Sequence, residues 1–227
     1  MGSIYNAFMQ LYTLGKYAKL LEKWNEDNYE KDGIDIVAAG DPAQDGHKRV
    51  NKTNIPQELL LGETKIDTND FCKYIVDGYS MSPEDIDNGD ILLCKPLSDF
   101  TTEDITSNHY VIINVDKEYY KAKNKSLKFK TKLRKTKMIV PAGMAFDDLV
   151  VSLKDIDDSI LLSENQKTLK KKFNETKSFY KDRELILSIT YRDGSLRYSF
   201  HPKELITSIA QYVAKCDEEG NWTIKEL

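Results

Sequence analysis

Short apolar runs recur through the middle of this chain, each bounded by residues that favour turns. IDIVAAG, CKYIVDG, DILLCK and HYVIINV lie between residues 34 and 115, set apart by Asp41-Pro42, Asp45-Gly46, Ser82-Pro83, Asn88-Gly89-Asp90 and Lys95-Pro96. Runs this short, rich in Val and Ile and punctuated by Gly, Pro, Asn and Asp, are expected to be strands. No helical patterns alternate with them, which disfavours a doubly wound parallel sheet. Residues 34–162 are therefore expected to form a mainly β core, a compact sheet with long connections.

The flanks differ in character. Over residues 3–24, Ile4, Phe8, Leu11, Ala18, Leu21 and Trp24 recur at helical spacing, with Ser3 placed as an N-cap. The polar stretch NEDNYEKDG follows and reads as a linker, so residues 1–33 are expected to be a docking or dimerising helix and its tether. With no second helix before Gly33, this is not a helix-turn-helix. Residues 163–227 are expected to be an α+β appendage: a charged helix from Ser163, a β-hairpin turning at Asp193-Gly194, and a second helix from Pro202 through PKELITSIAQYVAK. Tyr191, Tyr198, Phe200 and Trp222 would give it a small core of its own.

Composition narrows the function classes. At 227 residues, 40% hydrophobic and 31% charged, the chain is globular. No apolar run approaches the ~20 residues of a membrane helix, and MGSIYNAFMQ lacks the basic and apolar regions of a signal peptide, so a cytoplasmic location is expected. Three cysteines and three scattered histidines favour neither a disulfide framework nor a metal site, and no cofactor is implied. The net charge of −4 does not advertise nucleic-acid binding. Residues 117–137 nevertheless carry ten basic residues and one acid, Glu118. Within them Leu127, Phe129, Thr131 and Leu133 alternate with Lys128, Lys130, Lys132 and Arg134, a strand with one greasy and one basic face. A solvated edge strand protected by its charges is the favoured reading. Phosphate binding is the alternative, weakened by sparse aromatic residues.

Chemistry is concentrated in YIVDGYSMSPEDIDNGDILLCKP, residues 74–96. A strand runs into Gly78, then Ser80, Met81 and Pro83, then an Asn-Gly-Asp turn and a second strand. A serine held just beyond a strand, beside a glycine, can present its oxygen with backbone N–H groups nearby, as acyl transfer requires. The pattern G-x-S-M-x-P followed by I-x-N-G-D resembles the nucleophile motif of the LexA/UmuD family of self-cleaving serine peptidases, which share their fold with bacterial signal peptidases. The position before the serine, often aspartate in the family, is Tyr79 here. Upstream, IDIVAAGDP resembles the segment these proteins cut in themselves, which would make Ala39–Gly40 the scissile bond. Small side chains there let backbone and nucleophile approach.

The resemblance implies a core of the LexA/signal peptidase-like type and a Ser–Lys dyad with Ser80 as nucleophile. The backbone N–H groups of Tyr79 and Ser80 would be the oxyanion donors. A lysine serves as a base only when neutral, and its ordinary pKa near ~10.4 must fall, chiefly by burial. HYVIINV, then DKE, then YYKAK resembles the family's strand, turn and second strand, which sets Lys121 against the family lysine, with Lys123 as second choice. The chain's own N-terminal segment would be the substrate, higher pH would favour cutting, and homodimers and a RecA-type filament or other regulatory protein would be partners, in a stress-response or prophage regulatory role. Direct binding of nucleic acid is left open. The contrasting expectation is a non-catalytic module of the same fold that acts by dimerisation and docking, to which Tyr79 and the shorter lysine hairpin point.

Overall fold

Residues 35–39, 55–101, 105, 108–123, 130–156, 166–192 and 194–227 are described by a computed structural model of the chain. The helix expected over residues 3–24, its linker, Gly40, Pro42, residues 124–129 and Asp193 lie outside the described residues. The strands are β1 (Asp35–Ala38), β2 (Glu58–Leu61), β3 (Thr64–Asp67), β4 (Cys72–Asp77), β5 (Ile91–Pro96) and β6 (Tyr110–Asn114), then β7 (Thr131–Val140), β8 (Leu185–Arg192), β9 (Ser195–Pro202), β10 (Ile206–Cys216) and β11 (Trp222–Glu226). The helices are α1 (Lys117–Ala122), α2 (Phe146–Ile156) and α3 (Gln166–Tyr180). The chain is mainly β, as expected, and built on one large mixed sheet with a separate β2–β3 hairpin.

Six strands of that sheet close on themselves. The pairing runs β1-β4-β5-β10-β6-β7, and β7 returns to β1 in parallel, with Ala38 opposite Lys132. Every one of the six contributes to a single buried cluster: Val37 from β1, Tyr74 and Val76 from β4, Leu92 and Cys94 from β5, Ala210 and Val213 from β10, Tyr110 and Ile112 from β6, and Leu133 from β7. This is the interior of a small barrel, filled by inward-facing side chains. Met81 and Ile86 join the same cluster from the connection between β4 and β5, both fully buried.

Residues 91–94 of β5 and 110–113 of β6 are unbroken apolar runs because both of their faces are covered. Ile91 and Leu93 turn outward from the barrel to meet Leu59 and Ile66 of the β2–β3 hairpin. Val111 and Ile113 turn outward to meet Ile186, Ile206 and Ile209. Beyond β7 the sheet extends through β8 and β9, whose hairpin turns at Gly194 (φ +72°), a conformation that favours glycine. Leu149 and Leu153 of α2, and Leu169, Phe173 and Tyr180 of α3, cover this extension at helical spacing, against Leu187, Ile189, Tyr198 and Phe200.

The C-terminal segment departs from expectation. Of the helix expected over residues 202–215, all from Ile206 on lies in β10 (Ile206–Cys216), and β10 sits between β5 and β6. Residues 163–227 are thus no appendage; Ile36–Leu227 form one compact unit. The cause lies in two register shifts, between Ile206 and Ser208 and between Ala210 and Tyr212. Each adds a residue to the strand's period of two. Ile206 and Ile209, and likewise Ala210 and Val213, then share a face at a spacing of three, which imitates a helix.

The lysine region departs as well. The expected second strand of a hairpin over YYKAK is helix α1, started by Asp116, whose carboxylate accepts from the N–H groups of Glu118 and Tyr119. The next strand in the chain after β6, paired with it on the side away from β10, is β7. No helix among the described residues is long and apolar enough to cross a membrane.

Candidate active site

The turn that carries Ser80 is fixed by the residues that make its sequence recognisable. Strand β4 ends at Gly78, whose φ of +112° other residues rarely adopt. The N–H of Gly78 donates to Oδ1 of Asn88 at 2.9 Å, so the Asn-Gly-Asp turn holds the serine turn directly. Gly89 takes φ +91° and donates to the carbonyl of Val76 at 2.8 Å, while Oδ2 of Asp90 accepts from the N–H of Asp87 at 2.7 Å. Between these, Pro83 opens a 3-10 turn over Ser82–Glu84, and Met81 anchors the loop in the barrel.

Strands β10 and β11 brace the same loop. The Lys215 amine lies 2.8 Å from Asp85, 3.1 Å from Asp87 and 3.3 Å from Asp90, and Lys225 lies 3.0 Å from Asp85. Burial alone would lower the pKa of Lys215; hydrogen bonds to Asp85 and Asp87 more than reverse it, and the amine is pushed up. Burial raises the Asp90 carboxyl, and its hydrogen bond from the Asp87 N–H and the nearby Lys215 charge offset this only in part.

Ser80 is buried, and its hydroxyl has no hydrogen-bond partner among the described residues. Its backbone is engaged on both sides. The Ser80 N–H donates to the carbonyl oxygen of Ala39 at 2.8 Å, and the Ser80 carbonyl accepts from the N–H of Tyr191 at 2.8 Å. The Ala39 N–H in turn donates to the carbonyl of Asp77 at 2.8 Å. The end of β1 is thus laced to the serine turn, with Val37, Ala38 and Ala39 all fully buried. An uncommitted hydroxyl is rare in a protein interior, where polar groups are nearly always paired.

Four residues beyond the serine, Glu84 gathers donors from three strands. Its carboxylate accepts from the Lys135 amine at 2.6 Å, the Tyr191 hydroxyl at 2.7 Å and the Tyr110 hydroxyl at 2.9 Å. Burial would raise the Glu84 carboxyl, but these donors outweigh it and hold the pKa below its ordinary value. Burial and the adjacent Glu84 carboxylate push the Tyr110 hydroxyl up. Lys135 lies directly opposite Tyr110 in the β6–β7 ladder, its amine 5.1 Å from the centre of that ring.

The two lysines chosen as bases are not brought to Ser80. Lys121 is exposed in the last turn of α1. The Lys123 amine pairs with the Glu175 carboxylate of α3 and lies 5.7 Å from the centre of the Tyr119 ring. Ala39 and Ser80 do meet, and Tyr79, the second expected oxyanion donor, is exposed beside them. Glu84, Tyr110, Tyr191 and Lys135 were not among the expected site residues. One signal was available: Lys135 falls in step with Leu127, Phe129, Thr131 and Leu133, a lysine continuing the greasy side of an alternating strand. Among the described residues no cluster of His, Cys, Asp and Glu is arranged to hold a metal ion. The chain matches no protein-family model, no curated protein and no solved structure.

Proposed function

We propose that this chain is a self-cleaving serine peptidase of the LexA/signal peptidase-like type, cutting its own Ala39–Gly40 bond with Ser80 as nucleophile and Lys135 as base. The observation that carries the reading is the 2.8 Å hydrogen bond from the Ser80 N–H to the Ala39 carbonyl, made by a residue whose own hydroxyl is buried and has no partner among the described residues. The bond picked out by its small-residue context is the one whose carbonyl meets the serine.

The chemistry balances within these residues and one water. The Ser80 oxygen attacks the Ala39 carbonyl carbon while its proton passes to the neutral Lys135 amine. Negative charge builds on the Ala39 oxygen, where the Ser80 N–H already points. The Ala39–Gly40 bond breaks as Lys135 returns the proton to the Gly40 nitrogen. Water then hydrolyses the ester and frees Ser80. Tethering supplies the substrate at high effective concentration, so little affinity for external peptides is needed. In the resting arrangement the Lys135 amine is paired with the Glu84 carboxylate. It must leave that carboxylate before it can act on Ser80, which makes the resting chain latent.

A second reading, a non-catalytic docking module, is favoured by two observations: the Lys135 amine is engaged by Glu84, and among the described residues no base hydrogen-bonds the Ser80 hydroxyl. Intact-mass spectrometry of the full chain over time at neutral and alkaline pH separates the two. Self-cleavage predicts two fragments whose masses sum to the chain plus water, at a rate independent of protein concentration and faster at the higher pH. A chain that stays whole across the range supports the docking module.

A further inference from the structure

Two cysteines outside the serine site face one another across the barrel wall. Cys72 is the first residue of β4 and Cys94 the fourth of β5, and they are directly opposite in the antiparallel ladder. Opposite residues of such a pair point to the same side of the sheet. That side is the barrel interior, since Tyr74, Val76, Leu92 and Cys94 all belong to the interior cluster. Cys94 is fully buried, whereas Cys72, at the rim, is exposed. The ladder also fixes the kind of pair. The Val76 N–H donates to the Asp90 carbonyl at 2.9 Å, so counting back in steps of two makes Cys72 and Cys94 a hydrogen-bonded pair. Such pairs have Cα atoms about 5.5 Å apart, inside the range of about 4.4–6.8 Å that a disulfide spans.

We propose that Cys72 and Cys94 are a reversible oxidation site, closing a cross-strand disulfide between β4 and β5 on exposure to hydrogen peroxide. The order of events follows from burial. Cys94 is shielded from oxidants in solvent, and burial, with the neighbouring Cys72 adding to it, pushes its thiol up, so it is not the first of the two to be oxidised. Peroxide therefore reaches Cys72 first and converts its thiol to a sulfenic acid, releasing one water. The Cys94 sulfur attacks that sulfur, the S–S bond forms, and the hydroxyl leaves with the Cys94 proton as a second water. Two thiols and one peroxide become one disulfide and two waters. Side chains of a hydrogen-bonded pair start with Cβ atoms at about 5.5 Å, beyond the usual disulfide separation of about 3.5–4.5 Å, so the end of β4 must draw in. A bond closed in this way is strained and readily reduced. Cys216 of β10 takes no part, being opposite Trp222 of β11.

The test treats the full chain with hydrogen peroxide, unfolds it, alkylates the remaining thiols and maps the peptides. The number of alkylated cysteines should fall from the three in the sequence to one, Cys216. A linked Cys72–Cys94 peptide pair, lighter by two hydrogens, should appear and be lost again with dithiothreitol. Cys216→Ser should keep the linked pair and leave nothing to alkylate. Three alkylated cysteines after treatment would overturn the proposal. So would Cys72 carried on to a sulfinic acid, or joined to a second chain, while Cys94 remains fully alkylatable.

Discussion

The backbone N–H of Ser80 donates to the carbonyl oxygen of Ala39 across 2.8 Å, joining the chain's own β1 to the turn that follows β4. Ala39 is fully buried and packs in the barrel interior with Met81 and Val37. A larger side chain there has no room. Ala39→Phe should cost about 1–3 kcal/mol of stability from overpacking and draw the segment off the serine turn. Urea midpoints check the first effect, and the rate of appearance of cut chain, lowered at least tenfold, checks the second.

The serine turn depends on a backbone conformation and on one side chain. Gly78→Ala forces an L residue to φ +112° and should cost about 1–3 kcal/mol. Asn88→Ala leaves the Gly78 N–H without its partner and should cost about 1–3 kcal/mol if that donor stays dry. Denaturant unfolding measures both. Because the two residues share one hydrogen bond, the double variant should cost less than the sum of the singles.

Lys135→Arg separates a charge partner from a base. Arginine keeps the positive charge beside Glu84 but does not deprotonate in proteins, so the chain should stay folded and cutting should stop. Lys135→Met should also stop cutting, and it should cost about 1.5–3 kcal/mol by removing a hydrogen bond to a carboxylate. Lys121→Ala and Lys123→Ala should cut at the wild-type rate, since both lysines belong to α1 and its cap. Loss of cutting in Lys121→Ala, with Lys135→Arg still active, would return the base to the lysine that sequence alone suggested.

Glu84 makes stability depend on pH in a definite direction. Its pKa is lower in the folded chain than in the unfolded one, so the folded state binds fewer protons. The stabilisation is therefore fully present above the ordinary glutamate value of about 4.3 and is lost as the pH falls through the lowered folded value. Urea titrations between neutral and acid pH should show a steeper loss in wild type than in Glu84→Gln, which has no proton to bind there. Glu84→Gln should also release the Lys135 amine and raise the cutting rate at a given pH.

Much of this molecule is written locally. The hairpin of β8 and β9 is announced by Gly194 between two strand-like runs, and the serine turn by Gly78, Pro83, Asn88 and Gly89, each with a conformational duty in the structure. Three kinds of information were hidden. Strand β10 carries register shifts whose spacing of three imitates a helix, so its place between β5 and β6 could not be read from periodicity. Helix α1 follows a capping aspartate, Asp116, that outweighs the strand preference of Tyr119 and Tyr120. The Glu84 cluster joins residues 26, 51 and 107 positions away in sequence, and only the pairing of β6, β7 and β8 makes them neighbours.

The most direct measurement compares wild type with Ser80→Ala by sequencing the new N-terminus formed at alkaline pH. Removing one buried oxygen that has no partner among the described residues should leave stability almost unchanged. Wild type should yield a fragment that begins with Gly-Asp-Pro at residue 40, and Ser80→Ala should yield none. A fragment beginning at Gly40 in Ser80→Ala, or no such fragment from wild type, would contradict the account.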